Sequence, residues 1–491
     1  MAQIPDPADV LSRVPVQLFI GGQWRPATGD RTFPVTDPAT GRTLAEVADA
    51  GPADGVAALA AAADVAEAWA RTSPRQRADL LRAAYDAVMA RLEEFALLMT
   101  LEMGKPLAES RAEVAYAAGF LRWFSEEAVR IPGHYGLLPE GTGHMVVSRH
   151  PVGPSYLITP WNFPLAMATR KLGPALAAGC PVVIKPAEAT PLSTLRFTAL
   201  LAELGLPPGV VNVVTTTDPG GLSGPLLADP RLRKLSFTGS IPVGRRLLAQ
   251  AADRVLRTSM ELGGNAPFVV FEDADVAQAV AGAMVAKFRN IGQACTAANR
   301  FLVHRSVLAQ FTEQITARVQ ALRVGPGVDP QVDIGPLVSE AAVAKVEELV
   351  ADAIARGAEL RTGGHRIDGP GHFYAPTVLV GVSPDSRIAR EEIFGPVVAI
   401  GVFQDEDEAV RLANDTEAGL VSYVYTRDLA RAQRMGVRLE TGMLGVNVGV
   451  VSNPAAPFGG VKQSGIGREG GAEGILEYLE TRYILTADPF A

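Results

Sequence analysis

The sequence has little cysteine, no excess of positive charge and no long apolar run. Only two cysteines occur in 491 residues, too few for a disulfide framework, so we expect a reducing, cytoplasmic compartment. The formal net charge of −8 argues against a nucleic-acid or anionic-membrane partner. No apolar stretch approaches the roughly 18 residues of a membrane span, and no signal-peptide pattern is visible at the N-terminus.

The length of the chain predicts a globular protein of two or three domains, because 491 residues exceed what one hydrophobic core usually organises. Helical patterns cover residues 53–70, 74–103 and about 108–129. From about residue 150, short β-rich runs alternate with helical patterns, and a second such block runs from about 276 to 450. This alternation predicts parallel sheets covered on both faces. The segment 141–148 could form a hairpin outside those sheets and is a candidate oligomerisation element.

Two strings could hold a dinucleotide. Gly465, Gly467 and Gly470 form a G-x-G-x-x-G pattern, but too little chain follows them for a βαβ unit, so we interpret them as a glycine-rich turn. Gly239 and Ser240 follow a predicted strand and open a predicted helix, where free N–H groups could bind a pyrophosphate. An ordinary strand-to-helix turn explains this second string equally well.

Three residues could perform chemistry together. Cys295 has polar neighbours, among them Arg289, which could favour the reactive thiolate, whereas Cys180 has the apolar surroundings of a buried structural cysteine. Glu261 precedes two glycines and could act as a general base. Asn162 lies in a proline-rich loop and could donate to an oxyanion. Taken singly, a turn-capping Glu and an Asx turn explain the last two.

Six strings follow one another along the chain: Pro160-Trp161-Asn162-Phe163-Pro164, Lys185-Pro186-Ala187-Glu188, Phe237-Thr238-Gly239-Ser240, Glu261-Leu262-Gly263-Gly264, Gly292-Gln293-Ala294-Cys295 and Glu392-Ile393-Phe394-Gly395-Pro396. In this order, and over nearly the whole chain, they resemble the aldehyde dehydrogenase superfamily. Four further strings, at residues 169–171, 288–290, 445–447 and 457–465, are most similar to the succinate-semialdehyde dehydrogenase branch.

The resemblance implies an α/β fold with two parallel-sheet domains and a small β oligomerisation element. The NAD-binding domain would comprise residues 1–128 and 150–262, and the catalytic domain residues 263–462. The oligomerisation element would comprise residues 129–149 and 463–491, and its strand would pair with another subunit. We therefore expect a homodimer or a homotetramer.

The resemblance also implies a mechanism. Cys295 attacks the aldehyde carbonyl, the Asn162 side chain and the Cys295 backbone N–H hold the oxyanion, and Glu261 activates the water that hydrolyses the thioester. Lys171 matches a lysine beside the asparagine loop and joins the catalytic set, and no metal is expected. The cofactor-binding residues would be Thr159, Pro160, Trp161, Lys185, Glu188, Phe237, Gly239, Ser240, Gly244, Leu262, Glu392 and Phe394.

The substrate residues implied by the resemblance are two arginines and a serine that bind a distal carboxylate. They match Arg170, Arg289 and either Ser452 or Asn453, of which we choose Ser452; Phe458 completes the set. The expected substrate is succinate semialdehyde. Glutarate semialdehyde and 2-oxoglutarate semialdehyde are alternatives, and one arginine could instead form a structural ion pair.

Two positions bear on the cofactor and on redox control. Glu188 favours NAD because a carboxylate repels the 2′-phosphate of NADP, although Lys185 leaves NADP possible. Ala297 stands where some relatives have a second cysteine, so no regulatory disulfide is expected there. A non-catalytic protein on the same scaffold would lack Cys295, Glu261 or Asn162, and all three are present.

Overall fold

The structure is a computed structural model that describes residues 4–489. Within this range no helix is both long enough and apolar enough to cross a membrane. The first part of the chain is mainly helical, and its α2 and α3 begin with proline, whose fixed φ suits the first helical position. The elements are α1 (Pro7–Ser12), β1 (Leu18–Ile20), β2 (Gln23–Arg25), β3 (Thr32–Thr36), β4 (Thr43–Ala48), α2 (Pro52–Ala70), α3 (Pro74–Ala90), α4 (Leu92–Met103), α5 (Leu107–Glu127), β5 (His134–Leu137) and β6 (Gly143–Pro151).

The prediction of one helix over 74–103 is wrong, because the structure has two helices there. The backbone leaves the helical region at Arg91 (φ −113°, ψ 28°), and α4 begins at Leu92. The start of α3 is well specified, because Ser73 accepts the backbone N–H of Gln76 and the Gln76 side chain accepts the N–H of Ser73. This reciprocal capping box satisfies two donors that the helix cannot use internally.

The first large sheet confirms the predicted strand–helix alternation after residue 150. Its parallel strands lie in the order β9-β8-β7-β10-β11, and β1 and β2 extend it antiparallel beyond β9. The chain order therefore reverses between β7 and β10, which is where open α/β sheets bind ligands. The elements are β7 (Ser155–Ile158), α6 (Pro164–Ala178), β8 (Val182–Lys185), α7 (Leu192–Glu203), β9 (Val211–Val213), α8 (Pro219–Ala228), β10 (Lys234–Thr238), α9 (Ile241–Ala252) and β11 (Arg257–Glu261).

The second large sheet has the order β14-β15-β16-β13-β12-β18-β19. Only the edge strand β14 is antiparallel to its neighbour. The elements are β12 (Ala266–Val270), α10 (Val276–Phe288), β13 (Ala298–His304), α11 (Leu308–Gln320), α12 (Glu340–Ala355), β14 (Glu359–Thr362), β15 (Thr377–Val380), α13 (Arg387–Arg390), β16 (Val397–Phe403), α14 (Glu406–Asn414), β17 (Ala418–Gly419), β18 (Val421–Tyr425), α15 (Leu429–Arg438) and β19 (Met443–Val446).

The last segment returns to the first sheet and then leaves it. It comprises β20 (Val461–Lys462), β21 (Gly465–Ile466), α16 (Glu473–Leu476) and β22 (Leu479–Ala487). Strand β21 pairs antiparallel with β11, and β22 pairs with β6, whose hairpin with β5 completes a separate three-stranded sheet. Gly465, Gly467 and Gly470 all have positive φ, but the string is not a simple turn, because Gly465 lies in β21 and Glu469 forms a β-bridge with Phe458. The chain thus has an α/β fold with two large, mainly parallel sheets and a small β sheet.

Candidate active site

One cavity collects the loops that follow β7, β10 and β11 and the loop between α10 and β13. It lies at the reversal point of the first sheet, as expected for a ligand site. Residues expected from the sequence line most of it: Pro160, Trp161, Asn162, Gly239, Ser240, Glu261, Leu262, Cys295, Glu392 and Phe394. Thr238, Gly263 and Ile393, which lie in the quoted strings but were not assigned a role, also line it. Sequence reasoning missed Met167, Ala342 and Lys345 altogether.

The loop that carries Cys295 has an unusual backbone. After α10, Asn290, Ile291 and Gly292 all have positive φ (56°, 63° and 75°). A Cβ at Gly292 would lie 2.3 Å from the Gly395 carbonyl oxygen, so only glycine fits there. Left-handed residues that are not glycine are costly and cluster at functional sites. The loop leaves Cys295 partly accessible from the cavity.

Asn162 faces the same loop. Its Nδ2 donates to the Gln293 carbonyl at 3.0 Å, and its Oδ1 has no hydrogen-bond partner among residues 4–489. A side-chain amide has two N–H donors, so one stays available to a substrate oxygen. Asn162 can therefore supply the oxyanion donor expected from the sequence.

Burial dominates the acid–base properties of the two central groups. It raises the pKa of the Cys295 thiol to about 12, against the opposing effect of Arg170. Arg170 and Arg289 lower this pKa, as expected for arginines near a thiolate, but by less than burial raises it. Burial and the charge of Glu469 raise the pKa of Glu261 well above its usual range, and no described residue pairs with Glu261 Oε2.

Lys171 lies outside the cavity, in a buried ionic cluster. Its Nζ donates to Glu469 Oε1 at 2.6 Å and to Ser236 Oγ at 2.8 Å. Glu469 also pairs with Arg170, whose Nε lies 2.5 Å from Oε2. The alternative that one arginine forms a structural ion pair therefore applies to Arg170, through its Nε atom. Glu469 was missed because it lies within the glycine string that we interpreted only as a turn.

The residues expected to bind a distal carboxylate lie together. The guanidinium of Arg170 lies 4.3 Å from the ring centroid of Phe458. Tyr116, on α5, interacts through its hydroxyl with Arg170 and Ser452, and Arg289 is close enough to lower the pKa of Tyr116, which burial raises. Tyr116 was missed because a tyrosine within a helical pattern is by itself unremarkable.

The opposite end of the cavity fits the phosphates and nicotinamide ribose of NAD(P). Ser240 is the N-cap of α9 and makes no side-chain capping bond, so N–H groups at this helix end remain free for an anion. A Cβ at Gly244 would lie 2.5 Å from a Leu262 methyl carbon. A glycine at this position therefore lets α9 lie close to Leu262, just after β11. Glu392 accepts the Gly264 N–H at 3.0 Å, and burial raises its pKa to about 7.

The remaining predicted cofactor residues lie near this end of the sheet. Thr159 donates its N–H to the Lys185 carbonyl at 3.1 Å, joining β7 to β8. Lys185 Nζ lies 3.7 Å from Glu188 Oε2, whose side chain is 56% exposed. Phe237 is buried at the end of β10. An exposed carboxylate beside a buried lysine is a suitable pair for ribose hydroxyls.

Comparisons with known proteins agree with this geometry. The aldehyde dehydrogenase family model matches residues 24–484. The succinate-semialdehyde dehydrogenase of Paenarthrobacter nicotinovorans is 58% identical over 447 residues, covering 91% of this chain and 99% of that protein. The succinate-semialdehyde dehydrogenase [NADP(+)] of Escherichia coli strain K12 is 46% identical, with coverage of 95% and 97%.

A solved structure shows the same fold. The succinate-semialdehyde dehydrogenase from Burkholderia pseudomallei superposes with a TM-score of 0.96 at 48% identity, covering 99% of this chain and 100% of that one. The fold, the cavity and these relatives agree with the resemblance inferred from the sequence motifs. This chain belongs to the aldehyde dehydrogenase family and is an NAD(P)-dependent aldehyde dehydrogenase.

Proposed function

We propose that this enzyme oxidises succinate semialdehyde to succinate with NAD. The observation that carries the proposal is the pair of guanidinium groups, Arg170 and Arg289, within electrostatic reach of Cys295. An aldehyde that reacts at Cys295 would extend its far end toward these two cations. Guanidinium groups bind carboxylates through paired, charge-assisted hydrogen bonds. An uncharged aldehyde would leave Arg289 and the Nη2 atom of Arg170 without an acceptor.

Arg170 is already oriented for such a ligand. Glu469 occupies its Nε side, whereas its Nη2 is buried and has no hydrogen-bond partner in the described part of the chain. A buried donor without an acceptor is costly, so this atom favours the arrival of one. The hydroxyl groups of Tyr116 and Ser452 lie in the same cluster and can add donors.

Arg289 supports the second half of the carboxylate site. Its guanidinium lies 5.1 Å from the ring centroid of Phe163. Among residues 4–489 Arg289 forms no direct ion pair, although Glu109 lies close enough to interact with it electrostatically. A cation held by a ring rather than by an acid can still pair with a substrate carboxylate. The two arginines thus favour a short aldehyde with a carboxylate at its other end.

In the proposed reaction, the Cys295 thiol first gives its proton to solvent water. Its sulfur then bonds to the aldehyde carbon as the π electrons of the C=O bond move onto the oxygen. The oxyanion accepts hydrogen bonds from Asn162 Nδ2 and the Cys295 N–H. When bound, the nicotinamide ring supplies the acceptor for the hydride that this carbon loses. A thioester on Cys295 remains, and Glu261 takes a proton from the water that attacks it. The acid leaves and the thiol is restored.

The substrate proposal is tested with the Arg289→Ala variant. We expect KM for succinate semialdehyde to rise about tenfold to a hundredfold, because a charge-assisted hydrogen bond contributes roughly 1.5–3 kcal/mol. KM for an uncharged aldehyde of similar length should change less than threefold. Equal effects on both aldehydes would remove the carboxylate site from the proposal.

A series of semialdehydes of increasing length then separates succinate semialdehyde from glutarate and 2-oxoglutarate semialdehydes. The quantity to compare is kcat/KM of the unmodified enzyme. We expect the maximum at succinate semialdehyde. A maximum at a longer semialdehyde would support the carboxylate site but contradict succinate semialdehyde as the substrate. A maximum at a plain alkyl aldehyde would contradict both the carboxylate site and the substrate.

The preference for NAD over NADP rests on Glu188. Its carboxylate can accept hydrogen bonds from a free ribose diol and would repel a 2′-phosphate. We expect kcat/KM to be higher with NAD, and Glu188→Gln to raise kcat/KM for NADP while lowering it for NAD. A wild-type preference for NADP would show that Glu188 turns away from the cofactor.

A further inference from the structure

Three ionisable side chains of the α5 region face the two loops that carry Asn162 and Cys295. Lys105 lies just before α5. Glu109 and Glu113 lie within α5, four residues apart, the spacing that aligns side chains on one helix face. The side chains of Lys105 and Glu113 are 0% exposed. None of the three lines the cavity that contains Cys295, and none takes part in the reaction described above. Glu109 and Glu113 line a smaller cavity with Tyr116 and Arg289.

The Lys105–Glu113 pair holds the asparagine loop. Lys105 Nζ pairs with Glu113 Oε2 and donates to the Asn162 backbone carbonyl at 2.7 Å. The other carboxylate oxygen of Glu113 accepts the N–H groups of Leu165 and Ala166 at 3.1 and 3.2 Å, in the first turn of α6. The pair therefore fixes Asn162 and the helix that follows it.

The same face of α5 holds the loop of the nucleophile. Glu109 accepts the backbone N–H of Asn290. The Asn290 side chain donates to the Asn162 carbonyl at 2.9 Å and to the Gln293 carbonyl at 2.8 Å. The Asn162 carbonyl thus accepts from both Lys105 and Asn290, and α5 joins the two loops whose donors would form the oxyanion hole.

We propose that Lys105, held by Glu113, is a positioning residue that sets the place of the Asn162 side chain relative to Cys295. The inference rests on the role proposed for Asn162. Oxyanion donors act only within about 2.7–3.1 Å of the oxyanion, so a small shift of this loop weakens them. A buried ion pair is a poor device for stability alone, since apolar residues of similar volume often stabilise as well.

The first test separates positioning from stability. Lys105→Met alone leaves Glu113 buried and unpaired, so Tm should fall. The double variant K105M/E113Q removes both charges and should recover most of that loss. Its rate of NAD(P)H formation in a single turnover should nevertheless stay about 10–100-fold below wild type, with KM for the cofactor within about twofold, because a displaced oxyanion donor affects the transition state.

Lys234→Met is the matched control for the loss of a buried lysine. Lys234 is 0% exposed and contacts Ser259 and Glu477, away from both loops. This variant should lose stability and keep its single-turnover rate. If K105M/E113Q regains the wild-type rate together with the wild-type Tm, the pair is structural only and the proposal is overturned.

The second test asks whether Lys105 acts through Asn162. Asn162→Ala should itself lower the single-turnover rate by about 100–1,000-fold, the usual loss for one oxyanion donor. Adding K105M/E113Q to that variant should lower the rate no further, because the donor to be positioned is already missing. Multiplicative losses would overturn the positioning role while leaving the role of Asn162 intact. An unchanged rate in Asn162→Ala alone would overturn the oxyanion role and the inference with it.

Discussion

At Cys295, burial raises the thiol pKa more than the neighbouring arginines lower it. The thiol is therefore protonated in the free enzyme at neutral pH, and a protonated thiol reacts slowly with electrophiles. Glu261, whose pKa is raised by burial and by Glu469, gains base strength but is itself protonated up to a higher pH. Because both pKa values are raised, the fractions of Cys295 thiolate and of Glu261 carboxylate, the reactive forms, increase as the pH rises.

The raised pKa of the Cys295 thiol predicts how alkylation of the cofactor-free enzyme depends on pH. Below a pKa of about 12, the thiolate fraction rises about tenfold per pH unit. The rate of iodoacetamide modification should therefore keep rising from pH 7 to pH 10. Mass spectrometry of the Cys295 peptide measures it, and a plateau near pH 8 would contradict the prediction.

Cys295→Ser is the control for that experiment. It retains only Cys180, which is fully buried and whose pKa burial raises to about 11, so alkylation should nearly cease. Dehydrogenase turnover should also be abolished in this variant. Normal turnover without Cys295 would refute its proposed role as the nucleophile.

At the scale of elements, local patterns predicted most of the fold. Alternating strands and helices indicated both parallel sheets, because a strand buried on both faces and the helix that covers it have distinct local periods. The break at Arg91 could not be predicted, since the apolar period continues through Val88, Leu92 and Phe95. Burial of the whole of α4 apart from its first turn explains why the chain bends there.

The candidate site was predictable where its chemistry lies within short motifs. Asn162, Glu261 and Cys295 each stand in such a motif. Glu469 and Lys105 act through side-chain contacts with residues 298 and 57 positions away. No local sequence pattern indicates such contacts. The roles of these two residues could therefore be recognised only from the way α5 and the last segment pack against α6 in the structure.

The approach of α9 to β11 gives a prediction about the cofactor. Gly244→Ala would place a methyl group 2.5 Å from a Leu262 methyl carbon, which forces α9 outward. Because the N-terminus of α9 is the proposed phosphate site, KM for NAD should rise at least about fivefold. Initial rates at varied NAD concentration measure this.

Gly224→Ala provides the comparison for the previous variant. Gly224 lies in α8, and its added Cβ would meet no atom within 4 Å. Because α8 does not form the proposed phosphate site, KM for NAD should stay at the wild-type value. Equal KM values in the two variants would show that the position of α9 does not govern cofactor binding.

At the scale of the whole molecule, the sheet β22-β6-β5 has an unpaired edge. Strand β22 carries Tyr483, Ile484 and Leu485, which are 53%, 46% and 51% exposed. An exposed apolar edge strand tends to pair with another chain. We propose that residues 129–149 and 463–491 form the oligomerisation element, and that its occupant is a second copy of this chain.

The predicted mass in solution is two or four times 51.7 kDa. Leu485→Lys should shift the light-scattering mass toward the monomer, because it places a charge at the proposed contact. Leu360→Lys, on the exposed edge strand β14 of the second large sheet, should leave the mass unchanged. A wild-type mass of one chain would contradict the proposal.

The ionic cluster around Glu469 also bears on how the enzyme is made. Ribosomes synthesise the N-terminal part first, and domains fold largely as they emerge. Until Glu469 is added, Arg170 and Lys171 would be buried cations without their carboxylate, and the loss of one partner from a buried ion pair costs about 3–5 kcal/mol. A truncated translation product would therefore be unstable and open to proteolysis, so the cell would not accumulate incomplete chains that carry the Cys295 thiol.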